Sequence, residues 1–328
     1  MIKNILAVRT DRFGEFLLNI PAFRALKNSY PNSRLALAVH PKVAELARQI
    51  DFVDEVLVWD NKKLSFFQVF EFAGKLKKEN FDLCVIFNPS KEVNLISFLA
   101  GIPDRVGYKR KMAILLTRTL KDQKYLGLKH EVEYNLELAR FAGADSDDKT
   151  LSLTINDDII KNSLSGLGLN NCEGAVVIHP WTSDAVKQWP ISYFKELARR
   201  VIKECGGKVV LVGHLRESFE GQEPFGESGQ NLIDLTGKTD LLQLAYLLKK
   251  SKLLVSGDSG PVHLASCFDI PVVAIFRNDL PGKNAKRWGP VSKGSFVVEN
   301  SNLSALAVGE VFDKVKLILN EINPKIKM

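Results

Sequence analysis

Short apolar runs alternate with segments of helical periodicity along most of this chain, and the alternation limits the folds that it can adopt. Runs at residues 5–8, 34–39, 55–59 and 81–87 have the length of buried strands, and a further short strand is predicted at 105–108. Helical spacing is found at residues 16–27, 43–49, 66–78, 93–100 and 131–142. Strands that alternate with helices predict mainly parallel sheets joined by helical crossovers.

A polar stretch at residues 143–174, rich in Asp, Asn and Gly, interrupts this pattern. Within it we predict a short extended piece at 151–155 and a short helix at 159–164. The alternation then resumes with strands at 175–178, 208–212, 231–234, 252–255 and 272–276 and helices at 192–203 and 241–249, and a last amphipathic stretch covers 303–319. The pattern predicts an α/β protein of two similar domains, 1–155 and 174–302, with a linker at 156–173 and a final helix within 303–328.

Composition sets bounds on function. The 328 residues are 45% apolar and 25% charged, as expected of a globular protein, and carry a net charge of +7, which suits anionic partners or simply a basic surface. Basic residues are dispersed, with no nucleic-acid-binding signature. The four cysteines form no CxxC pair, which fits a reducing cytoplasm. No apolar run approaches the ~18 residues of a membrane span, so membrane contact is expected to be peripheral.

The most specific motif is the turn SGDSGPVHLA at residues 256–265, which connects a predicted strand to a predicted helix. Ligands bind at such carboxyl ends of parallel strands, where glycines admit close backbone approach and helix N–H groups favour an anion. Asp258 adds an acceptor and His263 a possible donor, which suits a nucleotide diphosphate. The simpler readings, Asp258 as a helix cap and His263 as a core residue, are compatible with ligand contact.

Two further loops carry candidate chemistry. The loop at residues 9–15 places the carboxylate of Glu15 near a helix N-terminus, although helix capping by Asp11 or Glu15 explains the same pattern. In the loop at 179–190, Thr182 and Ser183 can bind phosphate oxygens and Lys187 can stabilise a departing diphosphate. The alternative there is a surface loop pinned by two tryptophans and two prolines.

A weaker candidate is the loop at residues 213–217, where Glu217 can accept a hydrogen bond from a ribose or a base. The chain has no GxGxxG fingerprint, P-loop, HExxH sequence or metal-ligand cluster. A dinucleotide-dependent dehydrogenase is therefore disfavoured, and nothing in the sequence requires a metal or another cofactor.

Taken together, the loop RTDRFGE with Pro21 after it, the KQWP segment at 187–190 and the 257–265 turn resemble glycosyltransferase family 9, which contains the lipopolysaccharide heptosyltransferases. The resemblance implies a GT-B fold, in which two Rossmann-like domains with mainly parallel sheets face a central cleft. It also implies that the last helix crosses back to the first domain. The expected reaction is metal-independent, inverting transfer of a heptose from a nucleotide sugar, typically ADP-heptose, onto a lipopolysaccharide core acceptor.

Residue by residue, the resemblance makes Glu15 the general base, although the family commonly has Asp there, and Lys187 the group that stabilises the diphosphate. The implied donor-binding residues are Thr182, Ser183, Glu217, Asp258, Ser259, Gly260 and His263. For an anionic, lipid-linked acceptor at the inner face of the cytoplasmic membrane, the candidate residues are Arg12, Arg105 and Lys109. Two alternatives stay open at this point: a nucleotide-sugar epimerase on the same scaffold and a non-catalytic nucleotide-sugar-binding protein.

Overall fold

The structure is a computed structural model that describes residues 2–60, 64–156, 172–214 and 231–322. The chain divides into two compact units, Met1–Thr154 and Ile155–Met328. Most of the predicted linker and the whole of the predicted helix at 159–164 lie outside the described residues. Among the helices described, none is both long enough and apolar enough to span a membrane.

The first unit is built on a six-stranded parallel sheet in the order β3-β2-β1-β4-β5-β6. Its strands are β1 Asn4–Arg9, β2 Arg34–Val39, β3 Glu55–Val58, β4 Leu83–Ile86, β5 Asp104–Tyr108 and β6 Arg118–Leu120. Its helices are α1 Phe13–Leu17, α2 Ile20–Ser29, α3 Ala44–Ala47, α4 Phe66–Lys78, α5 Lys91–Leu99 and α6 Glu131–Phe141. Strands β1, β2 and β4 are almost wholly buried, as expected of central strands that are covered on both faces.

Local sequence explains where several of these helices begin. Ser65 and Gln68 form a reciprocal capping box at the start of α4. The Ser90 hydroxyl accepts a hydrogen bond from the Val93 amide at the start of α5. Pro21 lies in the first turn of α2, where its missing N–H costs nothing, so the predicted helix at 16–27 is two helices and not one kinked helix.

The second unit repeats the plan with a parallel sheet in the order β12-β11-β10-β7-β8-β9. Its strands are β7 Val176–His179, β8 Val209–Leu211, β9 Leu232–Asp234, β10 Leu253–Gly257, β11 Val272–Phe276 and β12 Phe296–Glu299. Its described helices are α7 Ile191–Cys205, α8 Leu241–Lys249, α9 Gly260–Ser266, α10 Ala285–Trp288 and α11 Val308–Ile322. The apolar face of α11 packs against α7 and against β10, β11 and β12, and a return of this helix to the first unit remains a prediction.

Both sheets have the Rossmann strand order. In each unit, the first three strands form one half of the sheet and the last three form the other half. The first and fourth strands are therefore neighbours at the point where the strand order reverses. These neighbours are β1 and β4 in the first unit and β7 and β10 in the second. Ligands of open α/β sheets bind at the carboxyl ends of the strands at this switch point. Two positions in the molecule are therefore marked by topology alone.

The predicted α/β class and the two-sheet architecture are confirmed. Two short edge strands, β6 and β12, and the four-residue helix α10 were not predicted. Residues 151–156 form no strand, and the extended piece predicted at 151–155 stays a prediction.

Candidate functional site

The switch point of the first unit is held together by hydrogen bonds between the loops that follow β1 and β4. The Thr10 amide donates to Asn88 Oδ1 at 3.2 Å, and Asn88 Nδ2 donates to Thr10 Oγ1 at 3.0 Å. Arg9, the last residue of β1, donates from Nε to Asp11 Oδ1 at 2.7 Å and from Nη1 to the Phe87 carbonyl at 3.3 Å. These bonds fix the start of the loop that carries Glu15.

Glu15 lies in the short helix α1, immediately after this loop, and its residue surface is only 8% exposed. Its carboxylate pairs with the guanidinium of Arg12, which is itself largely exposed. Burial raises the pKa of the Glu15 carboxyl above its ordinary value, and nearby Asp11 adds to the rise, whereas Arg12 and Arg9 oppose it. A shielded carboxylate with a raised pKa is a better proton acceptor near neutral pH than an exposed one.

A buried charge network lies behind this loop. Lys124 Nζ donates to Glu131 Oε1 at 2.6 Å and to Asn135 Oδ1 at 2.9 Å, and Arg9 Nη1 lies 3.7 Å from Glu131 Oε1. Glu131 is 1% exposed, so its charge is compensated by protein groups and not by solvent. The network holds the Arg9 side chain, and hence its bond to Asp11, in one place.

The switch point of the second unit is defined by strand register. His179 in β7 is the register partner of Ser256 in β10, and His179 Nδ1 lies 3.2 Å from the hydroxyls of both Ser256 and Ser259. These two hydroxyls lie 2.8 Å apart. Burial, with a smaller effect of nearby His214, lowers the pKa of His179 to about 4, so the imidazole is neutral at pH 7.

The main cationic group of this second site is Lys187, which ends the 3₁₀ turn Ala185–Lys187 in the loop after β7. Lys187 Nζ forms an ion pair with Asp258, which follows β10, and their side chains are only 13% and 10% exposed. The pair therefore connects the two strands of the switch point. The predictions for Lys187 and Asp258 came from separate motifs, and the structure brings the two residues into contact.

Close backbone approach at Gly257 positions the same loop. A Cβ atom at Gly257 would lie 2.7 Å from Thr182 Cγ2, so a side chain there would push the two segments apart. Thr182 is buried, and its hydroxyl donates to the Asp184 carbonyl at 2.8 Å while its amide donates to Gln188 Oε1 at 3.2 Å. The Thr182 hydroxyl is therefore engaged within its own loop.

The loop that follows β7 is also anchored to the core of the second unit. Trp189 is fully buried, and its Nε1 donates to the Leu306 carbonyl at 3.1 Å, two residues before α11 begins. Its ring packs edge-on against Phe194 at a centroid distance of 4.7 Å. The tryptophan thus fixes the end of the loop to the core of the second unit.

The remaining predicted donor residues have different surroundings. Ser183 is exposed on the loop, whereas Ser259 and Gly260 form the start of α9 at the end of β10. The ring of His263 is buried within α9, 6.3 Å from the ring of Trp288, as a core histidine would be. Glu217 lies outside the described residues. His179, which the sequence analysis did not single out, is central to the cluster.

The predicted acceptor residues do not gather at one place. Arg12 pairs with Glu15, and Lys109 is exposed just after the carboxyl end of β5. Arg105 is the register partner of Cys84 in β4, and Cys84 is the register partner of Leu6 in β1. Arg105 therefore lies nearer the amino end of the sheet than Glu15, which follows β1. Its Nε donates to the Leu115 carbonyl at 2.8 Å. Arg105 thus has a local structural role, and the geometry does not bring it to Glu15.

Comparison with known proteins identifies the family. The family model for glycosyltransferase family 9 (heptosyltransferase) matches residues 69–315. Lipopolysaccharide heptosyltransferase 2 of Salmonella typhimurium is 24% identical, over 84% of this chain and 83% of that protein.

Two solved structures share the fold. The Escherichia coli ADP-heptose lipopolysaccharide heptosyltransferase II structure has a TM-score of 0.83 at 21% identity, covering 97% of this chain and 99% of that one. A family 9 glycosyl transferase from Veillonella parvula has a TM-score of 0.84 at 20% identity, covering 97% of both chains. The fold is therefore GT-B.

The chain is a glycosyltransferase by family. It belongs to glycosyltransferase family 9, the heptosyltransferases. This membership supports lipopolysaccharide heptose transfer in general and sets aside the epimerase reading.

Proposed function

We propose that this protein transfers a heptose from ADP-heptose to a hydroxyl of a lipopolysaccharide core acceptor, with inversion at the anomeric carbon. Family membership and the heptosyltransferase relatives support the reaction class. The name of the E. coli structural neighbour supports ADP-heptose as the donor. The observation that carries the proposal is the shielded carboxylate of Glu15 at the switch point of the first unit.

The proposed step is a single displacement. The acceptor hydroxyl gives its proton to the Glu15 carboxylate, and its oxygen forms a bond to the anomeric carbon as the bond from that carbon to the diphosphate oxygen breaks. The bonding electrons leave with the diphosphate, which departs as ADP. A positioned base is worth about 10²–10⁴ in rate for such a step, because a sugar hydroxyl is a weak nucleophile.

The environment of Glu15 suits this role. Burial and Asp11 raise its pKa, while Arg12 and Arg9 keep the charged form accessible, so the carboxylate is both present and basic. Glu has one more methylene than the Asp that the family commonly carries, and we propose that the longer side chain reaches the same hydroxyl. The ion pair with Arg12 holds the carboxylate in one orientation.

The donor half of the proposal rests on the Lys187–Asp258 pair. An ammonium group at the carboxyl ends of β7 and β10 is suited to stabilise the charge that grows on a departing diphosphate. We propose that Asp258 positions Lys187 Nζ before the donor arrives, and that Thr182, Ser183, Ser259 and Gly260 belong to the surrounding donor pocket. With Lys187 supplying this charge, the proposed reaction is metal-independent.

The proposed acceptor is anionic and lipid-linked, and the proposed location is the cytoplasm at the inner face of the cytoplasmic membrane. Arg12 and Lys109 remain the candidates for binding its charged groups. Arg12 is the better of the two, because it contacts Glu15 directly.

The test is transfer by the purified protein from ADP-heptose to a delipidated lipopolysaccharide core oligosaccharide, followed by mass spectrometry, with and without a metal chelator. We expect a mass increase of one heptose that the chelator does not suppress. A thermal-shift panel of nucleotide sugars accompanies it, because a ligand that binds the native state raises apparent stability. A preference for a UDP- or GDP-sugar would overturn the donor, and nucleotide binding without any transfer would favour a non-catalytic binding protein.

A further inference from the structure

One layer of the first unit exposes large apolar side chains that its core does not use. The layer consists of α4, α5 and the loop at residues 109–117, which contains a 3₁₀ turn, Ala113–Leu115. α4 packs beside α5, and α5 packs against the turn. The α4–loop surface is defined here by Phe66, Phe67, Phe70, Lys111, Met112 and Ile114.

Three phenylalanines form the first part of this surface. Phe66, Phe67 and Phe70 are 72%, 84% and 48% exposed, and the ring of Phe66 packs against the rings of Phe70 at 4.7 Å and Phe67 at 6.2 Å between centroids. The core contacts of α4 are made by Ala73 and Leu76, with Val69 and Phe72 partly buried beside them, and Phe66, Phe67 and Phe70 take no part in this cluster. A cluster of exposed aromatic rings is uncommon on a protein surface and indicates a binding partner.

The loop supplies the second part. Ile114 is 92% exposed and Met112 is 43% exposed. Lys111 and Met112 have φ of 45° and 52°, in the left-handed region that L-residues rarely adopt. Asn94 Nδ2 of α5 donates to the Lys111 carbonyl at 2.7 Å and holds this conformation. The fold therefore keeps a strained backbone that presents a basic and two apolar side chains to solvent.

The charge around these apolar groups has one prevailing sign. The loop at 109–117 contains three basic residues and no acid, and the last turns of α4 contain three lysines against a single glutamate in the whole helix. Glu71 is paired with Lys75, and Arg110 with Asp122. Apolar side chains beside lysines match a membrane interface, where rings insert at the acyl boundary and ammonium groups meet anionic headgroups.

We infer that the α4–loop surface docks the protein on a lipid bilayer that carries anionic headgroups. Phe66, Phe67 and Ile114 enter the interface, and Lys111 lies at the headgroups. The capping residue of α4 and that of α5 each follow a strand of the parallel sheet, so both helices begin at the carboxyl edge of the sheet, which is also the edge where Glu15 follows β1. Docking therefore brings this edge to the bilayer.

This last point deepens the proposed function and depends on it, because a lipid-linked acceptor presents its sugar at the same surface. The docking itself follows from exposure and charge and does not require that the transfer be correct. The experiment below reports on the two separately.

The test is sedimentation of the full-length protein with vesicles of phosphatidylglycerol and phosphatidylethanolamine, compared with vesicles of phosphatidylcholine alone. We expect binding to the anionic vesicles, weakened by high salt. Phe66→Ser with Phe67→Ser should weaken it about tenfold or more, and Lys111→Gln should weaken it about fivefold.

Control variants remove exposed apolar or basic side chains elsewhere. Val291→Ser with Leu317→Ser, at 42% and 46% exposure, and Lys42→Gln with Lys203→Gln should leave vesicle binding unchanged. All variants are checked for folding by circular dichroism and for transfer to the delipidated acceptor, which the surface variants should retain if the proposed function holds.

Vesicle binding that is equal in the surface variants and the controls overturns the inference, as does an absence of binding by a protein that transfers heptose to the delipidated acceptor. A concentration-dependent dimer that the Phe66→Ser, Phe67→Ser change dissociates also overturns it, because a second copy then covers the surface. Selective vesicle binding without transfer supports the docking surface and counts against the proposed reaction alone.

Discussion

Lys187 and Asp258 form an ion pair that joins the loops after β7 and β10, and neither side chain is more than 13% exposed. The ammonium group is therefore held in position in the absence of a donor. An ion pair with so little solvent is costly to break from one side, since the remaining charge is left without its partner. This makes the two residues a unit rather than two independent contributions.

Lys187→Ala is expected to lower kcat by about 10²–10³, because it removes the charge that meets the departing diphosphate. Asp258→Ala should also lower kcat, and the double variant should be little slower than Lys187→Ala alone, because residues in one pair are not additive. Steady-state kinetics with ADP-heptose measure this. Lys283→Ala, which removes the more exposed partner of Asp184, is the control and should change kcat by less than about threefold. Additive losses would show that Lys187 and Asp258 act separately.

Glu15→Gln is expected to reduce transfer by about 10²–10⁴, because the amide cannot accept the acceptor proton. Binding of ADP, measured by calorimetry, should be unchanged, since the residue belongs to the first unit and the donor groups to the second. Glu15→Asp keeps the carboxylate and serves as the matched control. A Glu15→Gln enzyme that turns over at the wild-type rate would remove Glu15 from the mechanism.

In a plot of kcat/KM against pH, the decline on the acidic side (the acidic limb) should have its midpoint at a pH above the ordinary Glu pKa. The base acts only when deprotonated, so activity falls as pH decreases through the pKa of Glu15, which burial and Asp11 raise. Arg12 opposes that rise, so Arg12→Ala should move the limb to higher pH. Arg48→Ala, which breaks a similar but exposed pair with Glu45, should leave the limb in place. A limb that moves to lower pH in Arg12→Ala would contradict the assignment.

Gly257→Ala should destabilise the second unit by about 1–3 kcal/mol, because the new methyl group overlaps Thr182 Cγ2 at 2.7 Å. Thr182→Ser removes that methyl group and keeps the hydroxyl that donates to the Asp184 carbonyl. The double variant should therefore recover part of the loss, which denaturant unfolding measures. Gly206→Ala is not a suitable control, since its φ of 60° introduces strain of its own, whereas Gly74→Ala meets no atom within 4 Å.

Lys124→Met should cost about 3–5 kcal/mol of unfolding free energy, because the buried carboxylate of Glu131 then loses the ammonium group that lies 2.6 Å from it. Lys149→Met removes an exposed pair with Glu133 and should cost less than about 1 kcal/mol. Thermal and urea denaturation of both variants give the comparison. Equal costs would mean that solvent reaches Glu131.

Sequence patterning identified the fold because most of its strands are short apolar runs and most of its helices have clear helical periodicity, as in β1, β10 and α7. It failed where the local signal is weak. β6 consists of Arg118, Thr119 and Leu120, three half-buried residues at a sheet edge, and pairing with β5 alone makes them a strand. β12 is likewise an edge strand with two exposed residues. β6 has no continuous apolar run of the kind that marks a central strand, and in β12 the run is only three residues long, 296–298.

The candidate site shows the same limit. Lys187 and Asp258 could be predicted from loop motifs because both are charged residues in loops that follow predicted strands. The role of His179 could not, because it arises from its register with Ser256, 77 residues later in the chain. Arg105 was a candidate because a basic side chain suits an anionic acceptor, but its distance from Glu15 depends on sheet register, which the sequence does not display.

The hydrogen bond from Trp189 to the Leu306 carbonyl spans 117 residues. Leu306 is synthesised long after the loop that follows β7. A ribosome-bound or truncated chain that stops before Leu306 therefore lacks the carbonyl group to which Trp189 Nε1 donates. Synthesis of residue 306 and fixing of this loop are thereby coupled. In deletion studies, a chain that ends before Leu306 would lose this anchor although Glu15 and Lys187, the residues proposed for catalysis, were still present.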